Sequence, residues 1–330
     1  MTEQPISATA PAAGPTAPTV SAAGATAPAT GATAPGEPAA DAAADALLAP
    51  LPSALARVER RAVMPPGFAA GATTAGIKAS GRPDLALIQA TSSPAAAAAV
   101  FTTNRVVAAP VEASRANLAI TRPEGRGRGG DHYGRAQAIV ATSGCANAAT
   151  GLAGLADQVA ITHAVATHLH LDPTSVLSLS TGVIGARLPV AAVAAGIATL
   201  AARGLAADDA ALAEVAEALR TTDSVAKAAT ARVELPTRDG TPVAVTVAGV
   251  AKGVGMIHPR MATMLAVLLT DAVVSPATLH GLLRDATVGT WNQLSVDGDT
   301  STNDTVFLLA SGTSAAGPVQ PGTPGAAALG

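Results

Sequence analysis

A chain of 330 residues, 49% of them apolar, is long enough for one large or two medium domains with a buried core. Much of the apolar share is alanine, so it does not signal a membrane, and a net charge of -3 leaves no basic footprint for nucleic acid. The single cysteine, Cys145, excludes an internal disulfide framework and suits a reducing cytoplasm.

Residues 1–60 are rich in Ala, Pro and Thr and show no apolar periodicity before Leu47-Leu48, the composition of a disordered extension. They hold no Lys or Arg before Arg57 and no continuous apolar stretch, so neither a signal peptide nor a transit peptide is expected. The folded part begins near Val63. Leu85, Leu87 and Ile88 follow the turn Ser80-Gly81-Arg82-Pro83-Asp84 and read as a strand. Ala95 to Val100 reads as either a short helix or the start of a strand, and Phe101 to Val107 as extended chain. The run RPEGRGRGGDHYGR, residues 122–135, is either an anion-binding loop or a solvated surface loop, and the second is the plainer reading.

Gln137 to Val140 predicts a buried strand running into Thr142-Ser143-Gly144-Cys145-Ala146-Asn147-Ala148. Cys145 has no positioned base and reads as an inert small residue. Gly151 to Leu171 carries a helical apolar stripe. The spacing of His163, His168 and His170 does not bring their imidazoles onto one face, so no metal site is expected. Val176, Leu177 and Leu179 form a strand ending in Ser180-Thr181-Gly182-Val183-Ile184-Gly185. Such a turn is read either as a helix cap or as an oxyanion-binding corner. Two Ala/Leu-rich helices, Leu188 to Leu200 and Asp208 to Leu219, lead to Thr221-Thr222-Asp223-Ser224 and Lys227. Valines alternating about Asp239-Gly240 predict a β-hairpin that ends at Val250 and Lys252.

The stretch Gly249 to Ala272, GVAKGVGMIHPRMATMLAVLLTDA, carries the most chemistry. Gly253 and Gly255 allow φ > 0 or a close approach of another group, and Pro259 stops a helix. Thr263 then stands at the start of a buried element. A threonine hydroxyl is a poor nucleophile without an adjacent base. Cutting the chain before it would supply its own α-amine, whose pKa of about 7.7–8.0 suits a general base. From these residues alone a half-buried residue at a helix start is the plainer reading. Ser275 predicts the cap of a helix to Gly289, and Val306 to Leu309 a buried strand. The intervening SVDGDTSTNDTV lacks the ordered ligand positions of an EF-hand.

Read together, KGVGMIHPRMATML, GIKASGRPDLALI, AAVFTTNRVVAAPV, TSGCANA, STGVIG, TTDS with Lys227, and SVDGDTSTNDTV closely resemble the segments of the ornithine acetyltransferase family across about residues 61–309. The sequence departs from that pattern at Thr142 and Cys145, where asparagines are usual, and at Ser224, where threonine is usual. The resemblance implies an α/β chain with the layered αββα-type fold of the self-cleaving, DmpA-like acyltransferases. It implies autocleavage between Ala262 and Thr263, giving an α chain of residues 61–262 and a β chain that starts at the nucleophile Thr263 and includes residues 263–310. Thr181 and Gly182 take the oxyanion role, and Thr221 and Lys252 contact substrate. The implied reaction carries acetyl from N-acetylornithine to glutamate through acetyl-Thr263, with acetyl-CoA as a donor in some members and no cofactor. The family assembles as an α2β2 heterotetramer, and no nucleic-acid or membrane partner is implied.

Family members continue after the position matching Leu309 with a catalytic glutamate and further substrate contacts, so the resemblance also implies a chain lacking the family's carboxy-terminal part. Residues 311–330, rich in Gly, Pro and Ala, read as a disordered tail. Two other functions stay open at this stage. One is a self-cleaving amidase or aminopeptidase, with water as acceptor. The other is a non-catalytic relic or partner subunit.

Overall fold

Residues 58–123, 130–237, 239–258 and 264–330 are described by a computed structural model. Residues 1–57 of the extension expected over 1–60, and the pair Ala262-Thr263, lie outside the described residues, whereas Val58–Glu59 at its end form a strand paired with Ala231 and Thr230. Among the described residues the strands are β1 (Val58–Glu59), β2 (Phe68–Thr73), β3 (Leu85–Ala90), β4 (Ala95–Phe101), β5 (Tyr133–Ala136), β6 (Ala138–Cys145), β7 (Val176–Val183), β8 (Lys227–Pro236), β9 (Pro242–Lys252), β10 (Leu265–Thr270) and β11 (Thr305–Ala310). Seven of them form one sheet in the order β1-β8-β9-β10-β11-β4-β5, and four form a second in the order β2-β3-β6-β7. The pairs β10–β11 and β6–β7 are parallel, and the other neighbours are antiparallel.

Strand alternation sorts the side chains into layers. Ala97, Ala99, Val267, Leu269, Phe307 and Leu309 of the larger sheet share a core with Phe68, Ile88, Ile139 and Leu177 of the smaller one. The opposite face of the larger sheet, with Ala96, Ala98, Ala266, Val306 and Leu308, packs against Leu279 and Leu283. The opposite face of the smaller sheet, with Leu85, Leu87 and Val140, packs against Ile161, Val165, Val193 and Ile197. The helices named by these contacts are α2 (Gly151–Leu169), α3 (Val190–Arg203) and α5 (Pro276–Gly289). The result is helix, sheet, sheet, helix, the expected α/β layering. Two further helices, α1 (Ala109–Ile120) and α4 (Asp209–Leu219), add Val111, Leu118, Leu212 and Val215 to the core between the sheets.

Local chemistry accounts for several boundaries. The Asp208 carboxylate accepts the Ala211 N–H at 2.8 Å and starts α4, and the Ser275 hydroxyl accepts the Thr278 N–H at 3.2 Å and starts α5. The hairpin β8–β9 turns at Gly240, with φ 89.

Ala95–Phe101, ambiguous in the sequence, is a strand. Alanine favours helix over strand, but here Ala97 and Ala99 pair with Leu309 and Phe307. The large side chains of β11 fill the space beside the small ones of β4. The extended chain expected from Phe101 to Val107 is strand only at its first residue, and α1 starts at Ala109.

Residues 311–330 are not a disordered tail. Val319 N–H donates to Val273 O at 2.9 Å, Gly317 N–H donates to Pro236 O at 2.9 Å, and α6 (Pro324–Leu329) follows. Ala316, Val319 and Ala326 are buried in the cluster beneath α5. Composition hid this because three small apolar residues suffice when a preformed sheet face receives them.

Candidate functional site

The ends of both sheets meet at a cleft of about 810 Å³. Gly144, Thr181 and Gly182 line it from β6 and β7, Lys252 from the end of β9, and Leu265 from the start of β10. Asp304 lines it from the residue before β11, and Thr221 from the loop after α4.

On the small-sheet side β7 runs on through Thr181 and Gly182 to Val183. Thr181 is therefore a strand residue and not a helix cap, since α3 begins only at Val190 and Pro189 precedes it. The β6–β7 pairing is irregular at Gly144 and Cys145. Gly182 has φ 130, and a Cβ there would lie 2.2 Å from the Gly144 carbonyl carbon. Only glycine lets these two backbones approach so closely. Cys145 is buried with its Sγ 3.2 Å from Ala186 O, and burial pushes its thiol pKa up, away from a reactive thiolate.

The large-sheet side is charged. Lys252 is 5% exposed, and its Nζ donates to Thr181 Oγ1 at 3.2 Å, joining the two sheets across the cleft. Burial lowers its pKa, helped by the Lys227 charge and opposed by the Asp223 and Asp304 carboxyls. Asp223 is also buried. Its Oδ1 accepts from Lys227 Nζ and, at 2.8 Å, from Gly253 N–H. Burial works against the Asp223 charge, but Lys227, the Gly253 N–H and Lys252 outweigh it and hold the pKa below its ordinary value. Gly253 has φ 147, and a Cβ on Gly255 would come 3.3 Å from Asp297 Oδ2, so the two glycines serve the two purposes expected of them.

Asp304 is 1% exposed. Its Oδ1 accepts the Met264 N–H at 3.2 Å, and its Oδ2 has no hydrogen-bond partner among the described residues. Burial raises its pKa to about 8, against the lowering influence of Ser301, Met264 N–H and Lys252. Asn303 locks the loop before it by donating to Ala146 O at 2.7 Å and Ser180 O at 2.9 Å.

The rim opposite carries Lys78 and Arg82. Buried Asp84 shapes this loop by accepting from Ala75, Ile77 and Lys78 N–H at 2.5, 2.6 and 2.9 Å. Arg82 Nη2 donates to Thr221 O at 3.0 Å. Burial, and then the Arg82 charge, lower the Lys78 pKa to about 8.

Four of the expected residues, Thr181, Gly182, Thr221 and Lys252, thus line one cleft, while Ala262 and Thr263 lie outside the described residues. Met264 leads into β10 beside Lys252, in the register Leu265↔Lys252. The described residues of the run 122–135 do not line the cleft, and its residues 124–129 are outside the described set. Sequence reasoning missed Asp304, Lys78 and Arg82. The motifs STND and GIKASGRPD held them, but nothing in a motif tells which of its polar residues will be buried. Among the described residues no group of three or more His, Cys, Asp and Glu side chains is arranged to hold a metal ion. Nor is any helix among them long and apolar enough to cross a membrane.

With a buried lysine and a buried carboxyl on one wall and a glycine-built corner on the other, the cleft has the kinds of group that bind a carboxylate and stabilise a tetrahedral oxyanion. The model of the ArgJ family matches residues 69–327. The mitochondrial arginine biosynthesis bifunctional protein ArgJ of Penicillium rubens is 43% identical over 287 residues, covering 85% of this chain and 56% of the relative. The namesake from Neosartorya fischeri is 43% identical over 257 residues, with 77% and 53% covered. The chain therefore spans about half the length of the curated relatives it matches. Among solved structures, ornithine acetyltransferase complexed with ornithine from Mycobacterium tuberculosis is 35% identical with a TM-score of 0.51, covering 63% of this chain and 99% of that one. ArgJ from Bacillus halodurans is 34% identical with a TM-score of 0.52, covering 63% and 98%.

Proposed function

The chain belongs to the ArgJ family, and from that premise we propose that it takes part in acetyl transfer from N2-acetylornithine to glutamate in arginine biosynthesis. The observation that carries this reading is the meeting of Lys252 Nζ and Thr181 Oγ1 at 3.2 Å, across 71 positions of sequence, in a cleft that Thr221 also lines. A catalytic corner and an amino-acid-binding group need to share one cavity, and the lining of this cleft by Thr181 and Lys252 supports that reading.

In the reaction, the Thr263 hydroxyl attacks the acetyl carbonyl while its α-amine takes the hydroxyl proton. The oxyanion forms against Thr181 and Gly182. Ornithine departs with the returned proton, and the amine of glutamate attacks the acetyl-threonine by the reverse sequence. Lys252 and Thr221 hold the amino-acid ligand, with the Lys252 ammonium on a carboxylate. The nucleophile is made by self-cleavage at Ala262-Thr263, giving an α chain of residues 61–262 and a β chain from Thr263 onward. Two of each form the heterotetramer. Acetyl-CoA is a second donor in this reading, and no cofactor is required. We assign a cytoplasmic setting on the lone reduced Cys145, although the fungal relatives are named mitochondrial.

Intact mass and amino-terminal sequencing test the reading. The wild-type chain is expected to split before Thr263 and Thr263→Ala to stay whole, because alanine has no hydroxyl for an N-to-O acyl shift. Splitting of the alanine variant at the same bond would falsify self-processing. Release of ornithine with equal formation of N-acetylglutamate is the expected turnover. Release of acetate instead would mark a hydrolase.

A further inference from the structure

Resting on Lys252 and Thr221 as the amino-acid-binding pair of the reading above, we propose that Asp223 is the positioning residue of that pair: it ties together the two backbones that carry them and supplies the counter-charge of the buried Lys252 ammonium. The first support is connectivity. β8 and β9 pair in the register Lys227↔Ala251, which brings the chain before β8 to the chain after β9. Asp223 stands two residues after Thr221, and its Oδ1 accepts the Gly253 N–H at 2.8 Å. That nitrogen is bonded directly to the carbonyl carbon of Lys252. Lys227 Nζ closes the clamp by donating to the same Oδ1 and, at 3.1 Å, to Gly253 O. The clamp thus sets where the strand end carrying Lys252 stands relative to the loop carrying Thr221.

The second support is charge. The ionisable groups acting on Lys252 are Asp223 and Lys227 from the segment leading into β8, and Asp304 from the residue before β11. Burial lowers the Lys252 pKa, Asp223 and Asp304 oppose that, and Lys227 adds to it. Asp304, with a pKa of about 8, is mostly protonated at neutral pH. Burial also works against the Asp223 charge, but Lys227, the Gly253 N–H and Lys252 outweigh it and keep Asp223 ionised there. Asp223 is therefore the carboxylate that holds the proton on Lys252 near neutrality, and a substrate carboxylate needs that proton. The other carboxyls near the cleft, Asp84 and Asp297, are turned to backbone N–H groups of their own loops.

The loop has further ties that do not use the Asp223 side chain. Arg82 Nη2 donates to Thr221 O at 3.0 Å, and Arg220 Nη2 donates to Asp223 O and Ser224 O, each at 3.0 Å. A change at the Asp223 carboxyl therefore leaves the loop backbone anchored.

The test reads kcat/KM for N2-acetylornithine at saturating glutamate, in full chain, between pH 7 and 10. The substrate carboxylate stays ionised throughout, so the alkaline limb reports Lys252 losing its proton. Asp304 ionises within this range in every chain compared, so the differences between chains isolate the clamp. Asp223→Asn keeps an oxygen for the Gly253 N–H and loses the charge. It is expected to move the limb down by about one pH unit or more, with a fall of about tenfold on the limb, carried by KM rather than kcat. Lys227→Met removes the cation that opposes the Lys252 proton and is expected to move the limb up. A residue that only props the fold gives no such opposite pair. A limb that stays in place in either variant, whatever the fall in rate, overturns the inference while leaving acetyl transfer intact. A wild-type chain that transfers no acetyl group overturns both. If Asp223→Asn does not fold, Lys227→Met decides alone: an upward shift supports the proposal, and an unmoved or lowered limb sinks it.

Discussion

The two walls of the cleft are built from different materials. On the β6–β7 wall the groups facing the cleft are a hydroxyl and a glycine backbone, held by a strand pairing so close that a methyl group would collide with it. On the β9–β11 wall they are an ammonium and a carboxyl, both buried and both shifted away from their ordinary pKa. The first wall depends on shape, which pH does not alter. The second depends on charge, which pH alters across the range where enzymes work. Lys252 donating to Thr181 is where the two meet. One wall should therefore respond to substitution sterically and the other electrostatically.

The comparison is broken most severely at Gly182. Gly182→Ala puts a Cβ at φ 130 and 2.2 Å from Gly144, a combination of strain and overlap expected to cost about 3 kcal/mol or more. Urea unfolding should find that loss equal at pH 6 and pH 9. A loss that changes strongly with pH would mean that the glycine wall is electrostatic after all.

Next comes Lys252→Ala. On the proposed reading, in which Lys252 holds a substrate carboxylate, its loss should cost roughly 1.5–3 kcal/mol, or about ten- to a hundredfold in kcat/KM for transfer between N-acetylornithine and glutamate. Because Lys252 draws the Asp304 pKa down, its removal should also move the Asp304 titration, read from the pH dependence of unfolding, to higher pH. A titration that stays in place would separate the two groups.

A smaller effect concerns stability and Asp304 alone. Its folded-state pKa, about 8, is above that of an unfolded aspartate. Between the two values the folded chain binds more protons than the unfolded one, so this group lowers stability as pH rises through that window. Asp304→Asn should therefore raise the melting temperature at pH 8.5 relative to wild type, with the gain shrinking toward pH 4. An equal gain at both ends would point to packing. Smallest of all is Cys145→Ser on the shape wall, expected to shift unfolding by less than about 1 kcal/mol. The native thiol should also react slowly with alkylating reagents at neutral pH, since burial raises its pKa.

Thr181 and Gly182 of the shape wall came forward through the resemblance, but the need for glycine at 182 comes from Gly144 lying against it across the β6–β7 pairing, which the fold alone decides. The charge wall was legible only in part. Lys252 came forward through the resemblance, but Asp304 stood among six other polar residues of DGDTSTND with nothing to distinguish it. Its depth comes from β4, β10 and β11 closing around it, and those strands lie about two hundred positions apart at the extremes.

Sequence by itself determined the elements whose signal is periodic or capped: the hairpin about Gly240, the helices begun by Asp208 and Ser275, and the buried strands at Leu85 and Val306. These signals lie in neighbouring residues, so local physics reads them. Tertiary structure alone decided that AAAAAVF is a strand, that residues 311–330 close a core, and that Asp304 is buried with an unused oxygen. Alanine takes the conformation its partners impose, and a carboxyl takes the pKa its surroundings impose. Both are set by contacts that the chain makes only once it has folded.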